Sequence, residues 1–116
     1  LNKVKDSYNC DAISLAGGKA ALEDQAYLDE TRSKIIATRG RLADGLRNLG
    51  WGVTDSQANF VWATGGPPAE STFQELKRRS IFVRLMRYAG YEPGLRVSVG
   101  TDAEIDRLLE VLAEIV

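Results

Sequence analysis

Apolar residues recur at helical spacing through the first half of the chain, and past residue 50 the pattern switches to alternation. Ahead of the first periodic segment, Leu1 to Asn9 is polar and reads as extended. Asp11 is placed to cap a helix running to about Leu22, with Ile13, Ala16, Ala20 and Leu22 inward. Gly17-Gly18 costs this helix about 1 kcal/mol per glycine relative to alanine. The pair reads as a place where another element packs closely against it. From Asp24 to Leu49 a long helix is predicted. Leu28, Ile35, Leu42 and Leu49 recur every seven residues, and Thr31, Thr38 and Leu46 fill the stripe. Gly50 is a natural stop. Gly40 and Gly45, and the early end of the repeat, argue against a sustained coiled coil.

The second half reads as short strands and two helices. Trp51 and Val53 suggest a first strand. In Gln57 to Trp62, Ala58, Phe60 and Trp62 share one face, with Gln57, Asn59 and Val61 on the other. Gly65-Gly66-Pro67-Pro68 breaks the chain. A helix follows over about Ala69 to Arg79, then a strand from Ile81 to Leu85, a loop, and a last strand from Leu95 to Val99. Thr101 and Glu104 have the spacing of a capping box, opening a helix from Asp102 to Ile115 that buries Ile105, Leu108, Leu109, Leu112 and Ile115. The order α-α-β-β-α-β-β-α predicts an α+β two-layer sandwich, with helices on one face of a small, mainly antiparallel sheet.

Composition narrows the chemistry. The 116 residues fit one domain with a real core. A formal net charge of −1, with scattered basic residues, argues against a nucleic-acid partner. No apolar run approaches the ~20 residues of a membrane span. With one cysteine and no histidine, an internal disulfide and a His-based nucleophilic triad are excluded, and a metal site is not expected. Cys10 reads as a small buried or half-buried thiol, and sparse cysteine fits a cytoplasmic protein. A start at Leu1 rather than Met suggests a piece of a longer chain, although a trimmed N-terminus would look the same.

Two strand arginines are the candidates for function. In "GLRVSVG", Leu95, Val97 and Val99 point one way and Arg96 and Ser98 the other. In the strand before it, Ile81, Val83 and Leu85 share one face, and Phe82, Arg84 and Met86 the other. Alternation thus predicts an apolar face, assigned to the helices, and a mixed face carrying Asn59, Arg84 and Arg96. Such arginines can be solvated or paired with carboxylates, can belong to a protein interface, or can bind an anion. The planar guanidinium matches a carboxylate or phosphate in two-pronged fashion.

The segments "DSYNCDAISLAGGKAAL", "SQANFVWA", "RRSIFVRLMRY" and "GLRVSVGTDAEIDRLLEVL" resemble, in order and nearly end to end, the C-terminal part of histidinol-phosphate aminotransferases. These are fold-type I enzymes dependent on pyridoxal 5′-phosphate. The resemblance implies that residues 1–10 are a junction from a large domain and 11–116 the small, substrate-binding domain. It implies that Arg96 binds the acidic end of an amino-acid or keto-acid substrate and that Arg84 meets the substrate phosphate. It places Asn59, Tyr8 and Asn9 near the cleft. No catalytic and no cofactor-binding residue is expected in this chain. The cofactor's lysine, its aspartate partner and its stacking aromatic lie in the large domain, and Lys3, Lys5, Lys19, Lys34 and Lys77 match no such motif. The implied partners are phosphorylated amine and dicarboxylate substrates, the chain's own large domain, and a second copy in a homodimer. The isolated chain is expected to be inactive. A threonine-phosphate decarboxylase, an aromatic aminotransferase, or a non-catalytic module that binds an anion or a protein are the alternatives.

Overall fold

Asp11 begins the first helix. Its carboxylate accepts hydrogen bonds from the backbone N–H of Ile13 and Ser14, both at 2.9 Å, and from the Ser14 hydroxyl at 2.7 Å. Those bonds, the Ser14 hydroxyl foremost, hold the Asp11 carboxyl below its ordinary pKa. The computed structural model describes residues 10–116, so the expectation of an extended Leu1–Asn9 lies outside the described residues. The chain divides into a unit ending at Arg32 and a unit from Ser33 to Val116.

In the first unit, α1 (Ala12–Glu23) buries none of its residues. Ile13 and Leu22, expected inward, are 84% and 74% exposed. Gly17 and Gly18 have open space beside them, so the close packing expected there is absent among the described residues. Cys10 is exposed rather than buried, and the helix that follows it buries none of its residues.

Helix α2 (Gln25–Asn48) continues into the second unit. Its buried stripe is Thr38, Leu42 and Leu46, at i,i+4 spacing, while Leu28 from the heptad pattern is exposed. The close approach falls at Gly45 instead, where an added Cβ would lie 2.6 Å from Leu109 Cδ1. Gly50, at φ +86°, ends the helix by adopting a left-handed conformation. Four short strands follow: β1 (Gly52–Val53), β2 (Phe60–Thr64), β3 (Arg84–Met86) and β4 (Gly94–Ser98). Helix α3 (Ala69–Arg78) lies between β2 and β3 in sequence, and α4 (Asp102–Ile115) closes the chain. The sheet has the order β1-β2-β4-β3, and every pairing is antiparallel.

The α+β layering is as expected. Val61, Ala63, Leu95 and Val97 form the sheet's buried face. They share one core with Leu42 and Leu46 of α2, Leu76 of α3, and Ile105, Leu108, Val111 and Leu112 of α4. Each fully buried leucine contributes roughly 1.5–3 kcal/mol of apolar burial. Trp51 is also in this core, 3% exposed. Ion pairs hold the helices together at the rim: Arg41 of α2 reaches Asp102 and Asp106 of α4, and Arg79, at the end of α3, pairs with Glu114 of α4.

Two strand boundaries differ from the sequence reading. Strand β2 starts at Phe60, because Gln57 to Asn59 form a bend. The Ser56 hydroxyl donates to the Phe60 carbonyl at 2.6 Å and accepts from the Ala58 N–H at 3.1 Å, which closes that bend. Strand β3 starts at Arg84 rather than Ile81. Ser80 has φ 60°, and the Ile81 N–H is engaged by the Leu76 carbonyl at 2.9 Å, so the ladder begins later.

Candidate functional site

Arg84 of β3 and Arg96 of β4 are direct partners in the antiparallel register. Opposite residues in such a pair project to the same face. Trp62 of β2 is the partner of Arg96 on its other side, and Phe60 is the partner of Ser98. A row Trp62–Arg96–Arg84 therefore crosses three strands on the face away from the helices.

This corrects one expectation. Alternation in β2 is as read, but the faces are exchanged. Val61 and Ala63 enter the core, and Phe60 and Trp62 join the arginines. Asn59 is not in the strand. It sits in the bend, exposed, with its carbonyl accepting from the Val99 N–H at 2.9 Å. Tyr8 and Asn9 lie outside the described residues.

The aromatic residues give the arginines their setting. The Arg96 guanidinium lies 4.2 Å from the centroid of the Phe60 ring, a cation–π contact. Stacking fixes the plane of the guanidinium and leaves its N–H edge for an in-plane acceptor. Arg96 Nε is buried and has no hydrogen-bond partner among the described residues. Neither Arg84 nor Arg96 is in an ion pair among the described residues; the same holds for Arg32 and Arg39, whereas Arg41, Arg47, Arg78, Arg79, Arg87 and Arg107 each have a carboxylate partner. Two like charges placed opposite one another without a counter-charge destabilise a sheet. The arrangement is chemically suited to receive an anion.

The bend that positions Phe60 is fixed from behind. Arg39 of α2 donates to the Ala58 carbonyl at 2.8 Å, and the Ser56 hydroxyl bonds described above complete the support. Beyond Arg96, Trp62 lies across Gly94, where an added Cβ would come within 2.5 Å of its indole. Tyr88 meets Trp62 edge-on, with ring centroids 6.1 Å apart and an interplanar angle of 62°. A hollow of about 460 Å³ opens here, lined by Trp62, Thr64, Gly65, Tyr88, Tyr91 and Glu92. A second one, about 500 Å³, lies between the Ser80–Val83 segment and the start of α4 and includes neither arginine.

The sequence reading missed Phe60, Trp62 and Tyr88 as site residues. A signal existed for the first two: Val61 and Ala63 alternate as small apolar residues and suit a helix-covered face. Tyr88 sits in a loop without periodicity and left no signal. A cofactor held through a lysine finds no counterpart on this face. Lys19, Lys34 and Lys77 are exposed and stand on α1, α2 and α3. No group of three or more His, Cys, Asp and Glu side chains among the described residues could hold a metal ion. No helix among them is long and apolar enough to cross a membrane.

Comparison with known proteins adds an independent line. A family model described as aminotransferase class I and II matches residues 1–112. The histidinol-phosphate aminotransferase of Rhodopirellula baltica is 49% identical over 108 residues, which is 91% of this chain and 30% of that protein. Its counterpart in Microcystis aeruginosa is 43% identical, over 99% of this chain and 33% of that protein. The chain thus spans about a third of the length of the curated relatives it matches. Among solved structures, one from Burkholderia pseudomallei superposes with a TM-score of 0.88 at 33% identity, covering 98% of this chain and 35% of its own. The histidinol-phosphate aminotransferase of Sinorhizobium meliloti, solved in complex with pyridoxal-5′-phosphate, gives 0.83 at 29%, covering 99% of this chain and 34% of its own.

Proposed function

The chain belongs to the class I and II aminotransferase family, and on that premise we propose that it is the small, substrate-binding domain of a histidinol-phosphate aminotransferase. Residues 11–116 form that domain and residues 1–10 its junction with a large domain. The observation that carries the reading is the Arg84–Arg96 pair, two cations in register on a rigid sheet with no carboxylate partner among the described residues. Histidinol phosphate presents an anionic phosphate, and glutamate and 2-oxoglutarate each present two carboxylates. Arg96 takes the acidic end of the amino or keto acid. Arg84 takes the phosphate.

Pyridoxal phosphate, when bound by the rest of the enzyme, supplies the electron sink for amino-group exchange. In this reading the lysine that holds it lies in the large domain, outside this chain. The work of this chain's own residues is recognition and placement. The stacked guanidinium of Arg96 is pre-oriented, so less freedom is lost when the anion docks. Binding energy from the remote anionic group helps align the reacting carbon. Movement of the domain over the cleft excludes water. The whole enzyme works as a cytoplasmic homodimer, and the chain alone is inactive.

The test uses the full-length protein loaded with pyridoxal phosphate, its cofactor absorbance followed on adding histidinol phosphate or glutamate. Conversion to the pyridoxamine form is expected with both. Arg96→Ala and Arg84→Ala should each lower kcat/KM roughly 10- to 100-fold, the worth of a hydrogen bond to a charged group. If glutamate converts the cofactor and histidinol phosphate does not, the substrate assignment is wrong. No conversion by either would remove the aminotransferase reading.

A further inference from the structure

We propose that Arg39 is a positioning residue for Arg96: it fixes the bend before β2, the bend seats Phe60, and the Phe60 ring sets the plane of the Arg96 guanidinium. The proposal rests on the reading of Arg96 as an anion-binding group and adds what holds that group in its working orientation. Three consecutive carbonyls in the bend each receive a donor. Arg39 Nη1 donates to Ala58 at 2.8 Å, the Val99 N–H to Asn59 at 2.9 Å, and the Ser56 hydroxyl to Phe60 at 2.6 Å. Of these donors, Arg39 is the one that reaches in from a helix, 19 residues away in sequence.

Arg39 is suited to this work. Its guanidinium is half-buried and spends its charge on a carbonyl, and a charge-assisted hydrogen bond is stronger than a neutral one. The helix beneath it is anchored separately. The Thr38 hydroxyl donates to Asp102 at 2.8 Å, and Arg41 pairs with Asp102 and Asp106. Loss of the Arg39 bond therefore frees the bend and leaves α2 in place. On the other side of the bend, Phe60 stands opposite Ser98, and its ring lies 4.2 Å from the Arg96 guanidinium. Arg96 Nε has no hydrogen-bond partner among the described residues, so the ring is the restraint that the structure shows on this group. A binding group keeps its geometry only when the residues behind it are themselves locked. A Phe60 free to tilt lets the guanidinium plane tilt with it, and the two-pronged match to an anion is lost.

The experiment measures calorimetric dissociation constants on the full-length protein for glutarate. Its two carboxylates suit two guanidinium groups in register, and it has no amine to react. Arg39→Met should weaken glutarate about tenfold, and Arg39→Lys, which keeps a charged donor, should recover most of the loss. In a Phe60→Leu background Arg39→Met should change the affinity less than about twofold, because the link to Arg96 is already cut. A merely structural role would leave the two losses additive. Ser56→Ala removes the bend's other side-chain support and runs the same cycle if Arg39→Met does not fold. Unchanged affinity in Arg39→Met, or additive losses with Phe60→Leu in either cycle, would overturn the proposal. Arg96→Ala separates the two readings. If it abolishes glutarate binding while Arg39→Met does nothing, the positioning role alone falls, and if it leaves glutarate binding intact, the anion-binding reading falls and the positioning role with it.

Discussion

Arg84 and Arg96 face each other across β3 and β4, and the apo protein bears the cost of their repulsion. Replacing Arg84 by glutamine relieves it. Arg84→Gln is expected to raise stability by about 0.2–1 kcal/mol while weakening anion binding, a trade of stability against function. Urea unfolding in a phosphate-free buffer checks this, and a loss of stability would mean that Arg84 has a structural partner after all. Both arginines were legible in the sequence because parity along a strand fixes which residues travel together. What parity does not fix is which of the two faces meets the helices in a neighbouring strand. Phe60 and Trp62 were therefore assigned to the wrong layer, although Val61 and Ala63 are apolar too. Only the register, Trp62 against Arg96, decides it.

Among the elements, α4 was the most legible. Its bounds, Asp102–Ile115, are those read from the sequence. Its start is written in side-chain chemistry: Glu104 accepts from the Thr101 N–H at 2.7 Å and from the Thr101 hydroxyl at 2.9 Å. The backbone bond foremost, and the hydroxyl bond with it, hold the Glu104 carboxyl below its ordinary pKa. A carboxyl with a depressed folded-state pKa stabilises the fold above its unfolded value, and loses that contribution as pH falls through the folded one. Thr101→Ala is expected to cost about 1 kcal/mol at neutral pH, and the difference should shrink below about pH 4. Guanidinium unfolding at a series of pH values reads this directly, and a pH-independent difference would rule the linkage out. Strand β3 was less legible, because the left-handed Ser80 delays the ladder and no residue type announces that conformation. The inward face read for α1 failed for a different reason. Periodicity records a wish for burial, and among the described residues nothing answers it.

Across the whole molecule, large exposed apolar residues stand on α1, on α2, at Phe82 and in the loop of Tyr88 and Tyr91. Ile13, Leu15 and Leu22 are 84%, 61% and 74% exposed, and Phe82 is 79% exposed. Exposed apolar side chains grouped on one surface favour association. The isolated chain is expected to self-associate weakly, with the sedimentation coefficient rising as concentration increases. Ile13→Glu with Phe82→Glu should suppress that rise, and a clean monomer at high concentration in the unmodified chain would refute it. The element order was readable from periodicity, since each element needs only its neighbours in sequence. What meets the exposed apolar side chains was not, because periodicity sorts residues only within their own element.

The chain's two tryptophans have opposite surroundings, and this makes the molecule its own optical instrument. Trp51 is sealed in the core, so its emission is blue-shifted in the folded state and moves to the red only when the core opens. Trp62 lies beside Arg96 and Tyr88 on the sheet's other face, where the docking of an anion would alter its brightness without moving the core. Single-tryptophan variants separate the two reports: with Trp62→Phe a change in colour reads the opening of the core, and with Trp51→Phe a change in intensity reads events on the arginine face.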